Sequence, residues 1–184
     1  QFIACLDPIE GERGAQPWAL TPETYGKFLC GLFDVYYRDW VNGDYTSVRL
    51  FDDYIHMAMG MPAGTCATSG SCGAYFVVEG DGTVYPCDFY CLDEWKMGRI
   101  GEQSIPELAN SEKARLFLQQ GERKPDACAD CRWYSLCHGG CKRDWVENDG
   151  KLENYSCLAF KEFFAYAESR ILEIARAEAE YYRR

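Results

Sequence analysis

Cysteine spacing constrains the fold of this sequence more than any other feature, because 11 of its 184 residues are cysteines and they are unevenly spaced. Eight of them form closely spaced groups, namely Cys66, Cys72, Cys87, Cys128, Cys131, Cys137, Cys141 and Cys157. Eight thiols can fill two four-coordinate metal centres, since zinc ions and iron–sulfur clusters both bind four cysteine thiolates. We therefore expect the fold to be organised around metal as much as around an apolar core.

A disulfide framework is the alternative interpretation of these cysteines. Such frameworks are typical of short secreted chains, and an odd number of cysteines leaves at least one thiol unpaired. The sequence shows neither a charged-then-apolar leader nor an apolar run long enough to span a membrane. In a reducing cytoplasm, a high density of cysteines indicates metal binding. We therefore favour metal ligation in a cytoplasmic protein.

The charge of the chain limits its partners. Its formal net charge is −10 at pH 7, whereas nucleic acids and anionic membranes bind surfaces rich in lysine and arginine. We therefore expect no nucleic-acid partner and no membrane partner. A basic peptide segment is a more suitable partner, and we expect a monomer.

Several segments carry clear signals of secondary structure. Thr21-Pro22-Glu23 is a typical helix start and Asn42-Gly43 a typical stop, which predicts an amphipathic helix between them. A short strand is predicted over 47–50, and two helices are predicted over 52–59 and 104–120. A long helix is predicted after Cys157, and its apolar stripe is expected to cover the core.

A β-hairpin is predicted next to the first cysteines. The β-rich runs 75–78 and 83–85 flank the glycine-rich turn Glu79-Gly80-Asp81-Gly82. Cys72 precedes this hairpin and Cys87 follows it, so antiparallel pairing would bring the two thiols together. Helices combined with a hairpin predict the α+β class.

A longer pattern joins the hairpin to the later cysteines. Nine residues separate Cys72 from Gly82 and four more precede Cys87, and a Cys-x2-Cys-x5-Cys-x3-Cys run extends from Cys128 to Cys141. This series resembles the SPASM domain, the auxiliary-cluster module of many radical S-adenosylmethionine enzymes that act on peptides.

A narrower resemblance covers nearly the whole chain. The hexapeptide Tyr85-Pro86-Cys87-Asp88-Phe89-Tyr90, the Cys66-x5-Cys72 motif and the segment around His56 are similar to anaerobic sulfatase-maturating enzymes. This resemblance implies that residues 1–61 are the C-terminal elements of a partial (β/α) barrel and that 62–184 form the SPASM domain.

The resemblance also implies two auxiliary [4Fe-4S] clusters. One would be held by Cys66, Cys72, Cys87 and Cys141, and the other by Cys128, Cys131, Cys137 and Cys157. Full thiolate ligation leaves no open iron position, which favours electron transfer over Lewis-acid chemistry. Two structural zinc sites of four cysteines each are the alternative, because sulfur ligands alone do not distinguish the metals.

Asp88 directly follows one of these ligands, and the resemblance implies that it is the catalytic residue. The family oxidises a cysteine or serine of a sulfatase to Cα-formylglycine after hydrogen abstraction by a 5′-deoxyadenosyl radical. Asp88 would take the proton of the substrate thiol or hydroxyl, and the clusters would take the electron. The alternative role of Asp88 is to cap a loop.

The Cys-x3-Cys-x2-Cys motif that binds the radical-generating cluster of this superfamily is absent from the sequence. We therefore expect a fragment, inactive alone, whose missing N-terminal part binds S-adenosylmethionine and a third [4Fe-4S] cluster. The expected partner is a sulfatase polypeptide with a cysteine-type or serine-type motif. Two alternatives stay open: a SPASM enzyme that modifies another ribosomal peptide, and a stand-alone zinc-stapled module that binds a basic partner.

Other residues near the cysteines have weaker signals. His138 could donate a hydrogen bond to a cluster sulfur or lie on a surface loop. Trp133 and Tyr134 are expected to shield the second cluster from water. Cys30, on the first helix, is expected to be a small core residue. No ligand role is assigned to Cys5 and Cys91.

Overall fold

The computed structural model describes residues 1–73 and 75–182. The described residues form seven α-helices, namely α1 (Pro22–Asn42), α2 (Arg49–Ala58), α3 (Cys66–Ser69), α4 (Ile105–Ala109), α5 (Glu112–Gly121), α6 (Tyr134–Cys137) and α7 (Cys157–Tyr181). They also form five short strands, namely β1 (Val77–Val78), β2 (Thr83–Tyr85), β3 (Gly98–Arg99), β4 (Trp145–Asn148) and β5 (Lys151–Asn154). This architecture confirms the predicted α+β class, with its hairpin and its long terminal helix.

Helix α1 begins and ends where the sequence predicts. The Thr21 side chain accepts a hydrogen bond from the Thr24 backbone amide, and the Thr24 side chain accepts one from the Thr21 backbone. This reciprocal capping satisfies two amides that the helix leaves without partners. The helix ends at Gly43, which adopts a left-handed conformation with φ of 79°.

The main core lies between α1, α2 and α7. Phe33, Phe51 and Phe163 are fully buried, one from each helix, and their ring centroids lie 5.1 to 5.6 Å apart. Edge-to-face and stacked contacts at these distances stabilise aromatic cores. Helix α7 therefore covers α1 and α2 as predicted.

Residues 1–61 contain α1 and α2 and no strand. Both helices pack against α7, so the main core uses residues from either side of position 61. The domain boundary at this position and the barrel origin of the first segment stay predictions.

Two of the predicted elements differ from the observed ones. The strand predicted over 47–50 is wrong, because no neighbouring strand pairs with it and Val48 instead precedes the first residue of α2, Arg49. The single helix predicted over 104–120 is two helices. Asn110 ends α4, and the Ser111 side chain accepts a hydrogen bond from Ala114 to begin α5.

The strands form two small antiparallel sheets. In the first, the predicted hairpin pairs Val77 with Tyr85, and β2 also pairs with β3 through Val84 and Gly98. The second sheet joins β4 to β5 through Asp149-Gly150. Strands β3, β4 and β5 were not predicted from the sequence. Within the described residues, no helix is both long and apolar enough to cross a membrane.

Candidate metal centres

Seven of the eight cysteines line two cavities: Cys66, Cys72 and Cys141 line one, and Cys128, Cys131, Cys137 and Cys157 line the other. Cys87 lies outside both cavities, near enough to Cys141 for the charge of Cys141 to raise its pKa. The two predicted ligand sets stay a prediction, and we use them to name the two sites. We name the first group, Cys66, Cys72, Cys87 and Cys141, the hairpin site. We name the second group, Cys128, Cys131, Cys137 and Cys157, the loop site.

The loop site surrounds one cavity. All four of its cysteines line this cavity, which is partly open to solvent. Four thiolates around one cavity can ligate either a zinc ion or an iron–sulfur cluster.

Short helices and turns position the thiols of the loop site. Cys137 is the last residue of α6 and Cys157 the first residue of α7. Cys128 ends a 3₁₀ turn and packs against Gly139, where a Cβ atom would lie only 3.3 Å from Cys128 Sγ and 3.0 Å from Pro125 Cδ. Gly139 therefore permits the close approach of the two cysteine-bearing segments.

Aromatic side chains form the rest of this cavity wall. Trp133 and Tyr134 line it as expected, and the Trp133 ring stacks on Phe164 at 6.5 Å. Trp133 Nε1 is buried and has no hydrogen-bond partner among the described residues. An unpartnered donor beside four thiols fits an occupant that supplies acceptor atoms, as a cluster with sulfide ions does.

The hairpin site is assembled from four separate segments. Cys66 is the first residue of α3, and Cys87 follows strand β2. Cys66, Cys72 and Cys141 line a second cavity of roughly 200 Å³. Cys87 does not line this cavity but packs, with Cys72, against a neighbouring aromatic cluster.

Burial favours the neutral form of Cys87, Cys141 and Cys137 when no metal is bound. It raises the pKa of both Cys87 and Cys141 to about 12, and the negative charge of Cys141 contributes to the rise at Cys87. Burial also raises the pKa of Cys137 to about 11, with smaller contributions from the three other thiols of the loop site. A bound cation would favour the thiolate forms of these three cysteines by compensating their charge.

Burial is the main cause of the raised pKa of Cys141, with smaller contributions from Asp144, Cys66 and Cys72. Burial also raises the pKa of Cys157, and the smaller effects there include a lowering by Lys161 and a raising by Cys131. Among the described residues, no group of three or more histidine, cysteine, aspartate or glutamate side chains is arranged to hold one metal ion.

Asp88 lies beside the hairpin site and is exposed to solvent. It is the first residue of a 3₁₀ turn, Asp88–Tyr90, and its Oδ1 accepts a hydrogen bond from Cys87 Sγ at 3.3 Å. The Cys87 thiol occupies the place of the proposed ligand sulfur. The described hydrogen bonds of the Asp88 side chain include none to the backbone, which does not favour the loop-capping role.

His138 links the two sites. Its Nδ1 lies 2.8 Å from the Thr68 carbonyl oxygen, so it joins the segment between Cys137 and Cys141 to helix α3. Its described hydrogen bond is therefore with the backbone and not with a cysteine sulfur.

Cys30 packs against the main core, which confirms the expected packing role. The remaining two cysteines differ: Cys5 is exposed, and Cys91 Sγ donates to the Cys87 carbonyl oxygen at 3.7 Å.

Helix α3 is fixed by a buried aspartate that was not predicted from the sequence. Asp53 on α2 is only 4% exposed, and its carboxylate accepts hydrogen bonds from Gly64 N, Thr65 Oγ1 and Thr68 Oγ1. These bonds hold the start of α3, where Cys66 lies. The Thr65-x-x-Thr68 spacing is the one local signal, since Thr65 caps this helix.

Comparisons with known proteins agree with this geometry. The SPASM iron–sulfur cluster-binding domain matches residues 70–132. A cysteine-type anaerobic sulfatase-maturating enzyme from Clostridium perfringens is 41% identical over 177 residues, which are 95% of this chain and 48% of the relative. A serine-type enzyme from Bacteroides thetaiotaomicron is 30% identical over 164 residues, which are 85% of this chain and 39% of the relative.

A solved structure of native anSMEcpe with bound AdoMet and the Cp18Cys peptide has the same fold. It superposes with a TM-score of 0.89 at 41% identity, over 96% of this chain and 49% of that one. The chain spans about half the length of the relatives that it matches. The chain is therefore similar, over nearly its whole length, to the C-terminal, SPASM-containing part of anaerobic sulfatase-maturating enzymes.

Proposed function

We propose that this chain is the auxiliary-cluster part of a radical S-adenosylmethionine enzyme that oxidises a cysteine of a sulfatase to Cα-formylglycine. The observation that carries the proposal is the exposed Asp88 carboxylate, which lies 3.3 Å from the thiol of Cys87 in a group of four cysteines. The greater identity to the cysteine-type relative than to the serine-type one favours cysteine as the oxidised residue. The enzyme is proposed to act in the cytoplasm.

We assign one [4Fe-4S] cluster to the hairpin site and a second to the loop site, each with four cysteine ligands. When bound, such a cluster supplies a one-electron acceptor. The role of the chain is to provide eight thiolates and to shield the loop site with Trp133 and Tyr134. S-adenosylmethionine and the radical-generating cluster would be bound by a part of the enzyme that precedes this chain.

The matching domain model supports clusters over zinc. The model that matches residues 70–132 is that of an iron–sulfur cluster-binding domain. The unpartnered Trp133 Nε1 beside the loop site also fits an occupant that supplies acceptor atoms, such as sulfide ions.

Asp88 is the proposed general base. Oxidation of the substrate cysteine removes an electron from the carbon that has lost a hydrogen atom, and the thiol proton must leave in the same process. The resulting thioaldehyde is hydrolysed by water to formylglycine, with release of hydrogen sulfide. Asp88 is exposed, so a peptide thiol can reach its carboxylate. Because Asp88 adjoins Cys87, the proton acceptor and the electron acceptor lie side by side.

The test is the Asp88→Asn variant of the full-length protein, reconstituted without oxygen and given a sulfatase-derived peptide with a cysteine at the modified position. We expect formylglycine, measured by mass spectrometry, to fall by about 10²- to 10⁴-fold, the usual contribution of general acid–base catalysis. Iron and sulfide contents should equal those of the unmodified protein.

Asp93→Asn is the matched control. Asp93 is also exposed, begins the next 3₁₀ turn and pairs with Lys96 at 2.8 Å. We expect near-normal turnover in this variant. Near-normal turnover of Asp88→Asn would reject the general base. Colourless protein with two zinc ions and no sulfide after anaerobic preparation, or no formylglycine from the unmodified protein, would reject the proposed function.

A further inference from the structure

A buried lysine lies beside the hairpin site. Lys142 directly follows Cys141 and is only 8% exposed. It lines the same cavity as Cys66, Cys72 and Cys141. The sequence gives no signal for this burial, since a lysine in a cysteine-rich loop usually extends into solvent.

Three aromatic rings hold the ammonium group of Lys142. Its Nζ lies 3.4 Å from the ring centroid of Phe117, 4.8 Å from that of Tyr90 and 5.2 Å from that of Trp95. The three rings pack edge to face, with centroids 5.1 to 6.0 Å apart. This aromatic cluster also contacts Cys72 and Cys87 of the hairpin site.

Two neutral oxygen atoms complete the surroundings of the ammonium group. Lys142 Nζ donates to the Phe117 carbonyl oxygen at 3.1 Å and to Gln120 Oε1 at 3.4 Å. In the part of the chain that the structure describes, no carboxylate pairs with it within 4.0 Å. Burying a cation without an anionic partner is unfavourable, so buried charges are normally paired.

The hairpin site would supply the missing negative charge. A [4Fe-4S] cluster with four thiolate ligands carries a net negative charge, and reduction by one electron increases it. A fixed cation nearby stabilises the reduced form more than the oxidised form, because the attraction grows with the charge. Net charge around a cluster is one of the factors that set its reduction potential.

We propose that Lys142 is the buried counter-charge of the hairpin site and that it raises the reduction potential of the cluster bound there. This inference rests on the proposed function, because it needs a cluster in that site. Because its ammonium group is buried among aromatic rings, Lys142 is assigned as a positioning residue that acts through the cluster.

The test is a redox titration of the full-length protein, monitored by electron paramagnetic resonance, with Lys142→Met, Lys142→Gln and Lys142→Arg variants. In the two neutral variants, we expect the equilibrium constant for reduction of one cluster to fall by roughly tenfold or more. For one electron, this lowers the reduction potential of that cluster by about 59 mV or more. The other clusters should titrate as in the unmodified protein. Lys142→Arg, which keeps the charge, should stay within a few-fold of the unmodified protein.

Lys113→Met is the matched control. Lys113 Nζ also lies over the Trp95 ring, at 6.0 Å, but Lys113 is exposed and solvent screens its charge. We expect no shift in this variant.

Measured iron and sulfide contents distinguish a failure of this inference from a failure of the proposed function. Neutral variants that keep their clusters and show an unchanged potential would overturn the role of Lys142 while leaving the clusters in place. If the neutral variants lose one cluster and Lys142→Arg keeps it, the requirement for positive charge is supported. If Lys142→Arg loses it as well, the role of Lys142 is packing and the inference fails. Unmodified protein without clusters would contradict the proposed function itself.

Discussion

Replacing Gly121 by alanine would push a methyl group into the hairpin site. Gly121 is the last residue of α5, and a Cβ atom there would lie 2.7 Å from Cys72 Sγ and 2.8 Å from Cys72 Cβ. Real Cβ atoms essentially never approach closer than 3.0 Å. Cys72 Sγ must therefore move by about 0.7 Å to reach ordinary contact at 3.4 Å.

This displacement is larger than a metal site tolerates. Distances between a ligand and its metal hold to roughly 0.2 Å, so a movement of about 0.7 Å would remove Cys72 from the coordination sphere. Added methyl groups in tightly packed regions cost about 1–3 kcal/mol. We expect Gly121→Ala to lose the iron and sulfide of one cluster and to have a free energy of unfolding lower by a similar amount.

The assay combines iron and sulfide analysis with urea unfolding followed by circular dichroism, both without oxygen. Gly31→Ala is the control, because Gly31 lies on α1 and its Cβ atom would meet no other atom within 4 Å. It should keep both clusters and gain about 0.5–1 kcal/mol from helix propensity. If Gly121→Ala has full clusters and unchanged unfolding, the inferred close approach of Gly121 and Cys72 is wrong.

Two further predictions concern α3 and the metal-free chain. Asp53→Ala removes the acceptor of three donors around α3, so we expect urea unfolding to show a loss of about 2–4 kcal/mol; an unchanged midpoint would contradict this. Burial raises the pKa of Cys87 and Cys141 from the usual 9.0 to about 12, so the folded chain holds these protons more tightly than the unfolded chain. In chelator, thermal melts should show full stability below about pH 9 and falling stability above it; a melting temperature that rises above pH 9 would refute this.

Local signals in the sequence were sufficient for the long helices and the hairpin. Thr21 and Gly43 cap α1 through contacts a few residues away, so their effect is visible in the sequence. The apolar stripe after Cys157 similarly predicts α7 and its packing against the core. The grouping of the eight cysteines into two sets came from the family resemblance and stays a prediction, although seven of them line two cavities in the corresponding way.

Contacts between distant segments were not predictable in the same way. Strand β3 has only two residues and exists because it pairs with β2. The strand predicted over 47–50 does not form because no other strand of the described residues lies beside this segment. Burial of Lys142 depends on Tyr90, Trp95 and Phe117, which approach it only in the folded chain.

Helix α7 carries a cysteine of the loop site and side chains of the main core, and the helical repeat fixes their relative directions. Cys157, its first residue, belongs to the loop site, and Phe163, less than two turns later, is fully buried in the main core. Each inserted or deleted residue rotates the following part of a helix by about 100°. A single-residue insertion between these positions would therefore turn either the thiol or the apolar stripe away from its partners. A one-residue change of length in this turn is therefore expected to disrupt either the loop site or the main core.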